Sequence, residues 1–224
     1  MYEKEVRIIL EDEFNMHDTV IMVGGSGLFV DAVCHGLDDI PTSKELRTGI
    51  MNEIERDGLD TLRAELKEKD PEYYYEVDLE NPVRIIRAIE VIRLTGQKYS
   101  ILRNASKRVN PFEIKRFIIE HPREQLYARI NTRVDQMMAS GLLHEVKSVI
   151  QFRNQNALQT VGYKELFEFL NGNCTLEFAV EKIKQHTRNY AKRQLTWFRR
   201  YDDAVWIPFT STEQMLDQIK LFLK

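Results

Sequence analysis

Long apolar runs, paired cysteines and clustered histidines are all missing from this 224-residue chain, and each absence removes a class of function. Without a run of ~18 apolar residues, no membrane-spanning helix is expected. The opening residues Met1-Tyr2-Glu3-Lys4-Glu5 are charged from the start and lead into no apolar stretch, so no signal peptide is expected. Cys34 and Cys174 lie far apart and outside any paired-ligand spacing, which points to reduced thiols of a cytoplasmic protein rather than a disulfide framework. The five histidines, His17, His35, His121, His144 and His186, form no His-x-x-x-His or Cys/His cluster, so no protein-built zinc site is expected. Neither G-x-x-x-x-G-K-[ST] nor G-x-G-x-x-G occurs. No Ser-His-Asp, Cys-His or close carboxylate pair stands out as a source of a general base, and no internal repeat or low-complexity segment is visible.

What is present is a soluble composition with one strong asymmetry. The hydrophobic share of 43% is enough for a core, the charged share is 30%, and the length suits one large or two small domains. Acids slightly outnumber bases, for a net charge of −3. Yet Lys182 to Arg200 carries Lys182, Lys184, Arg188, Lys192, Arg193, Arg199 and Arg200 with no Asp or Glu, interleaved with Tyr190, Trp197 and Phe198. Phosphates attract such cations, and unstacked bases lie on flat rings, so the run is a candidate nucleic-acid surface. The competing reading is an amphipathic helix with Leu195, Trp197 and Phe198 in a core and the bases in water.

Periodicity predicts a first helix over Glu3 to Phe14, then a strand buried on both faces at Thr19-Val20-Ile21-Met22-Val23. That strand runs through Gly24-Gly25-Ser26-Gly27 into an apolar helix from Leu28 to about His35. Ser43 to about Leu94 reads as all helical, with Ser43 as an N-cap, Asn81-Pro82 opening a later helix and Gly96 ending it. Phe112 to Glu120 returns to strand character, and Pro122 opens a helix. A further helix follows Gly141, and a short one spans Gly162 to Leu170. Thr175 caps the long basic helix, Ala204 to Phe209 reads as a last strand, and Ser211 to Lys224 as a terminal helix. The expected fold class is α/β, with a parallel sheet core and an inserted all-helical domain: core over 1–41, insertion over 42–110, core again over 111–224.

Several clusters invite chemistry. The turn Gly24 to Gly27 could hold a phosphate on backbone N–H groups, or simply be a tight strand-to-helix turn. Arg84 and Arg87 could meet a nucleic-acid backbone or form a solvated helix face. Arg129 and Arg133, four residues apart, suit an oxyanion such as diphosphate, or surface pairs with Asp135 or Glu124. Val161-Gly162-Tyr163-Lys164 gathers a glycine, an aromatic ring and a cation where a helix begins; alternatively, Tyr163 packs inward there.

Six segments in order carry a resemblance. They are Val23-Gly24-Gly25-Ser26-Gly27-Leu28-Phe29; Gly36-Leu37-Asp38-Asp39-Ile40-Pro41; Asn81 to Val91 (NPVRIIRAIEV); Leu126 to Val134 (LYARINTRV); Gln159-Thr160-Val161-Gly162-Tyr163-Lys164; and Ala191 to Arg199 (AKRQLTWFR). Together they resemble the tRNA dimethylallyltransferases, or tRNA isopentenyl transferases, over nearly the whole chain. The resemblance implies a core like the P-loop nucleotide kinases with a helical insertion gripping the anticodon stem. It implies transfer of a dimethylallyl group from dimethylallyl diphosphate to the exocyclic amine of the adenine 3′ to the anticodon, flipped out of the tRNA anticodon loop. It also implies magnesium (Mg2+), a cytoplasmic location, no membrane and a monomeric full-length enzyme.

By position in these motifs, the resemblance gives Arg133 a contact to the departing diphosphate. Gly24 and Gly25 line the substrate channel, and Ser26, where the family usually has threonine, meets the tRNA. Arg47, Val83, Arg84, Ile85, Ile86 and Arg87 fall on the tRNA-contacting insertion. Gln159, Thr160, Val161, Gly162, Tyr163 and Lys164, and Lys192, Arg193, Gln194, Leu195, Thr196, Trp197, Phe198 and Arg199, complete the tRNA surface. The family pattern opens with a P-loop and an Asp-Ser segment whose Asp is the general base, and neither is found here. The chain is therefore expected to be a truncated or partial form, inactive alone, with the magnesium ligand in the missing part. A non-catalytic tRNA-binding module and a nucleotide-kinase relative are the competing readings.

Overall fold

A computed structural model describes residues 2–36, 40–103 and 109–223; the Leu37-Asp38-Asp39 part of the second motif lies outside the described residues. The described chain is mostly helical with one small parallel sheet. It divides into two compact units, Met1–Met22 with Leu28–Phe112, and Val23–Gly27 with Glu113–Lys224.

The first unit contains α1 (Tyr2–Phe14), most of α2 (Gly27–His35), α3 (Lys44–Asp57), α4 (Leu59–Lys69), α5 (Pro71–Glu76), α6 (Pro82–Thr95) and α7 (Tyr99–Leu102). The expected caps form. Ser43 accepts a hydrogen bond from the Leu46 N–H at the start of α3, and Asn81 accepts one from Arg84 at the start of α6. Gly96 closes α6 in the left-handed conformation, which a glycine reaches without the steric penalty of a Cβ. Apolar residues at helical spacing, Ile50, Leu62, Leu66, Ile85, Ala88 and Ile89, meet in one core. Buried Asp70 ties the corner of that core together, accepting from Tyr73 N–H and from both the backbone and hydroxyl of Ser100.

The second unit contains β1 (Phe117–Glu120), α8 (Arg123–Ala139), α9 (Leu142–Ser148), α10 (Tyr163–Leu170), α11 (Leu176–Phe198), β2 (Val205–Pro208) and α12 (Thr212–Leu221). β1 and β2 pair in parallel with Phe117 opposite Val205 and Glu120 opposite Pro208. Val134, Leu142, Val146, Leu166, Phe167, Ala179 and Ile183 form this unit's core across α8 to α11. Because both strands run the same way, Glu120-His121-Pro122 and Pro208-Phe209 leave the sheet at one end.

Two expectations need correction. Thr19 to Val23 is not a strand; it is irregular, with Ile21 82% and Val23 89% exposed. A β-branched run becomes a strand only against a neighbour that pairs its backbone, and none of the described strands does so. The strand expected over Phe112 to Glu120 is confined to Phe117–Glu120, because β2 supplies partners for only that length.

Candidate nucleic-acid interface

The basic segment is the C-terminal part of α11. Thr175 accepts from the Phe178 N–H and starts the helix, and Ala179, Ile183 and Ala191 form its buried face. Its cations fall into two sets. Lys184 is paired with Asp135 at 2.9 Å and Glu181 at 3.0 Å, and Arg188 donates to Asn131 at 2.6 Å. These bind the helix to its own unit. Lys192, Arg193 and Arg199, by contrast, are exposed and have no carboxylate partner among the described residues.

The glycine turn rests on this same half of α11. Gln194 Nε2 donates to the Gly25 carbonyl at 2.6 Å. A Cβ on Gly25 would lie 2.4 Å from that amide, and one on Gly27 only 2.1 Å from Cδ1 of the Trp197 indole. The absence of side chains at Gly25 and Gly27 is thus what lets the turn approach the helix, and half-buried Ser26 is carried between them. Gly24 has open space around its Cβ position. Leu195, Trp197 and Phe198 are half-buried rather than fully enclosed in a core, and Thr196 is exposed. Trp197 Nε1 donates to the Tyr201 hydroxyl, and the Arg200 guanidinium covers its ring at 3.9 Å.

α8 presents Arg129 and Arg133 differently from one another. Arg129 lies over the Phe209 ring at 4.9 Å, beside His121. Arg133 is exposed and has no ion-pair partner among the described residues; Asp135, a candidate partner on sequence grounds, is engaged by Lys184.

The junction before α10 is tightly specified. Gly162 adopts φ +103°, and its N–H donates to buried Glu165 Oε2 at 2.7 Å. The other oxygen of Glu165 meets His186 Nδ1 on α11, and the Tyr163 hydroxyl donates to Glu145. Tyr163 is half-buried, whereas Gln159, Thr160, Val161 and Lys164 are exposed.

In the first unit, the expected contact residues divide by burial. Val83 and Arg84 are exposed, Ile85 is fully buried in the core, and Ile86 packs against it. Arg47 and Arg87 converge on the buried carboxylate of Glu90, at 2.7 Å and 3.0 Å, and Arg87 also donates to the carbonyls of Ile40 and Pro41. The Ser43 N–H donates to the same carboxylate at 2.9 Å. Burial acts to raise the Glu90 pKa, but the bonds from Arg47, Ser43 and Arg87 outweigh it and hold the carboxyl below its ordinary range.

Sequence reasoning missed a groove of 720 Å³ in the second unit, lined by Glu120, His121, Pro122, Arg123, Leu126, Tyr127, Lys192, Leu195, Thr196, Arg199, Pro208 and Phe209. One signal was available, a cation and an aromatic ring four residues apart at Arg123 and Tyr127. Among the described residues, no three His, Cys, Asp or Glu side chains converge as a metal cage, and no helix is long and apolar enough to cross a membrane.

Comparison with known proteins gives the family. The IPP transferase family model matches residues 1–201. A tRNA dimethylallyltransferase 1 of Phocaeicola vulgatus is 50% identical over 216 residues, which are 96% of this chain and 72% of that protein. The solved tRNA delta(2)-isopentenylpyrophosphate transferase of Staphylococcus epidermidis has a TM-score of 0.63 at 31% identity, with 99% of this chain and 74% of that one covered. The full-length tRNA isopentenylpyrophosphate transferase of Bacillus halodurans has a TM-score of 0.56 at 33% identity, covering 88% of this chain and 63% of that one. A model matched over most of the chain, and relatives alike over nearly all of it, have one consequence: this chain belongs to the IPP transferase family.

Proposed function

We propose that this chain is the tRNA-binding part of a tRNA-modifying prenyltransferase. The observation that carries the reading is the contact between the glycine turn and the cationic half of α11, which brings two motifs some 170 residues apart into one surface through the Gln194–Gly25 bond. Exposed cations without carboxylate partners are what a phosphate backbone needs. The reaction is transfer of a dimethylallyl group from dimethylallyl diphosphate to the exocyclic amine of the adenine 3′ to the anticodon. The amine nitrogen forms a bond to the allylic carbon as the carbon–oxygen bond breaks; the diphosphate leaves with the electron pair, and the nitrogen loses a proton. Arg133, with no carboxylate partner among the described residues, contacts the leaving diphosphate, where a charge-assisted bond strengthens as negative charge develops. Ser26 meets the tRNA beside the channel formed at Gly24 and Gly25.

The same reading takes the helices within 42–110 as an insertion that grips the anticodon stem, set in a P-loop-kinase-like core of 1–41 and 111–224. Val83, Arg84 and Lys164 are exposed and can touch RNA. Arg47 and Arg87 act through a surface held by Glu90, and Ile85 supports it from the core. Among the described residues no side-chain set fits a magnesium cage, so no step is routed through the ion. The sequence also contains no P-loop and no residue to which the proton can be assigned, so these residues alone bind tRNA without completing the transfer. Titration of an anticodon stem-loop into the protein at several salt concentrations tests the reading. Affinity that rises steeply as salt falls supports it; absence of binding at low salt overturns it.

A further inference from the structure

Glu165 carries a buried carboxylate that the proposed transfer leaves without a task. Its two oxygens bond to different elements: Oε2 accepts from the Gly162 N–H at 2.7 Å, and Oε1 meets Nδ1 of His186 on α11. A carboxylate only accepts, so His186 Nδ1 is the donor. The Glu165 side chain is 7% exposed and the imidazole 45%. His186 is therefore not there to fill a core; Leu166 and Phe167 of α10 already share one with Ala179 and Ile183 of α11. What the imidazole adds is a polar tie between the two helices.

Gly162, held by that carboxylate, is the N-cap of α10 at φ +103°. Glycine has many conformations open to it there, and the bond to Glu165 selects one. That conformation sets where the following residues leave the turn. Tyr163 is fastened again, its hydroxyl donating to Glu145 of α9. Lys164 is exposed and has no carboxylate partner among the described residues. On α11, His186, Tyr190 and Arg193 follow one another at spacings of four and three, so they share one face. The Arg193 guanidinium lies 5.8 Å from the centre of the Tyr190 ring. The Glu165–His186 contact thus joins the turn that carries Lys164 to the stripe that carries Arg193.

We infer that Glu165 and His186 are positioning residues: His186 holds the carboxylate, the carboxylate holds the Gly162 turn, and the turn holds Lys164 at a fixed distance from the cationic half of α11. Neither member of the pair touches RNA. For the role of Lys164 this rests on the tRNA-binding reading. Without the imidazole, Glu165 Oε1 is a buried charged oxygen short of a partner. The carboxylate then turns toward water and releases the Gly162 N–H.

The test uses His186→Ala, His186→Asn, Lys164→Gln and the variant combining His186→Ala with Lys164→Gln, each checked for folding by circular dichroism. Asparagine retains an N–H on the same Cγ and restores the bond that alanine deletes. His186→Gln, which moves the amide one bond away, takes the place of alanine if that variant does not fold. The first readout needs no RNA. The Gly162 amide is expected to exchange at least ~10-fold faster in His186→Ala and to return toward the parent rate in His186→Asn. An unchanged Gly162 amide in the alanine variant overturns the inference. The second readout is stem-loop affinity. His186→Ala is expected to weaken it about fivefold in the parent, and by less than about twofold once residue 164 is already glutamine. Equal losses in both backgrounds would make His186 a direct RNA contact or a general support of the fold, and overturn its action through Lys164. If the stem-loop binds none of these proteins while the Gly162 amide still answers to His186, the tRNA reading fails and the pair stands as the device that sets this turn.

Discussion

At Gly27, the space for a side chain is already occupied by an indole. A Cβ there would lie 2.1 Å from Trp197 Cδ1 and 2.2 Å from Nε1, and a rigid ring on a helix cannot yield as a flexible chain end can. Gly27→Ala is therefore expected to lower stability by about 1–3 kcal/mol, the usual range for forced overpacking. Gly25→Ala meets the movable amide of Gln194 instead and is expected to cost less, with the loss falling on the Gln194–Gly25 bond. Urea unfolding of both variants checks the order; a larger loss at Gly25 than at Gly27 contradicts it. Glu90 is the residue of greatest consequence in the first unit. Its carboxylate is fully buried between Arg47 and Arg87, and removing one member of a buried ion cluster costs about 3–5 kcal/mol. Glu90→Ala is expected to fall in that range. The pH dependence follows from the direction of the shift. A carboxyl depressed in the fold contributes stability above its unfolded value, near the ordinary 4.5, and that contribution is lost as pH falls through the lower folded value. Acid unfolding of parent and Glu90→Gln side by side checks this; the stability difference between them is expected to shrink as pH drops below about 4.5.

Along α11, position relative to neighbouring helices decides what each cation does. Lys184 answers Asp135 and Glu181, while Lys192 and Arg193 answer no carboxylate among the described residues. Replacing Lys192 and Arg193 together by Gln is expected to weaken stem-loop binding and reduce the log–log salt slope by about one unit for each phosphate that is no longer neutralised. Lys184→Gln is expected to leave the slope unchanged. Equal slope changes in the two variants would mean that the division of this helix into a structural and a binding half is wrong. The caps of this and other helices were legible because capping is local: Ser43, Asn81, Gly96 and Thr175 lie within three residues of the groups they satisfy or in the turn they close. The false strand at Thr19 to Val23 shows the opposite case. Its composition is that of a strand, but pairing depends on residues distant in the chain, and local pattern carries no record of whether a partner is there. The groove was invisible for a related reason, since Arg123 and Tyr127 belong to one helix and Lys192 and Arg199 to another.

On the scale of the whole chain, motif order was more informative than any single motif. The glycine turn alone has an ordinary structural explanation, and so does a basic helix; their contact through Gln194 and Trp197 is what distinguishes a shared surface from two separate features. Order in sequence made the family legible, but not which of its polar residues are spent on the fold, as Arg87 is on Ile40, Pro41 and Glu90. The proposed transfer depends on groups that position both reactants, because bringing an amine and an allylic carbon into line replaces a costly encounter in solution. These residues contain neither a phosphate-binding P-loop nor an assigned base. Purified alone, the chain is expected to bind a stem-loop but transfer no labelled dimethylallyl group to it. A chimera completed with the part of a relative that this chain does not match is expected to transfer it, and Arg133→Ala in that chimera to slow turnover by about a hundredfold, the loss typical of one donor aimed at developing negative charge. The affinity for RNA is expected to stay within about twofold, since an exposed side chain that acts on the leaving group adds little to ground-state binding. Single-turnover transfer measured beside stem-loop affinity separates the outcomes. Unchanged turnover in the Arg133 variant would return that residue to the solvated face of α8, and a fall in affinity matching the fall in turnover would make it an RNA contact instead.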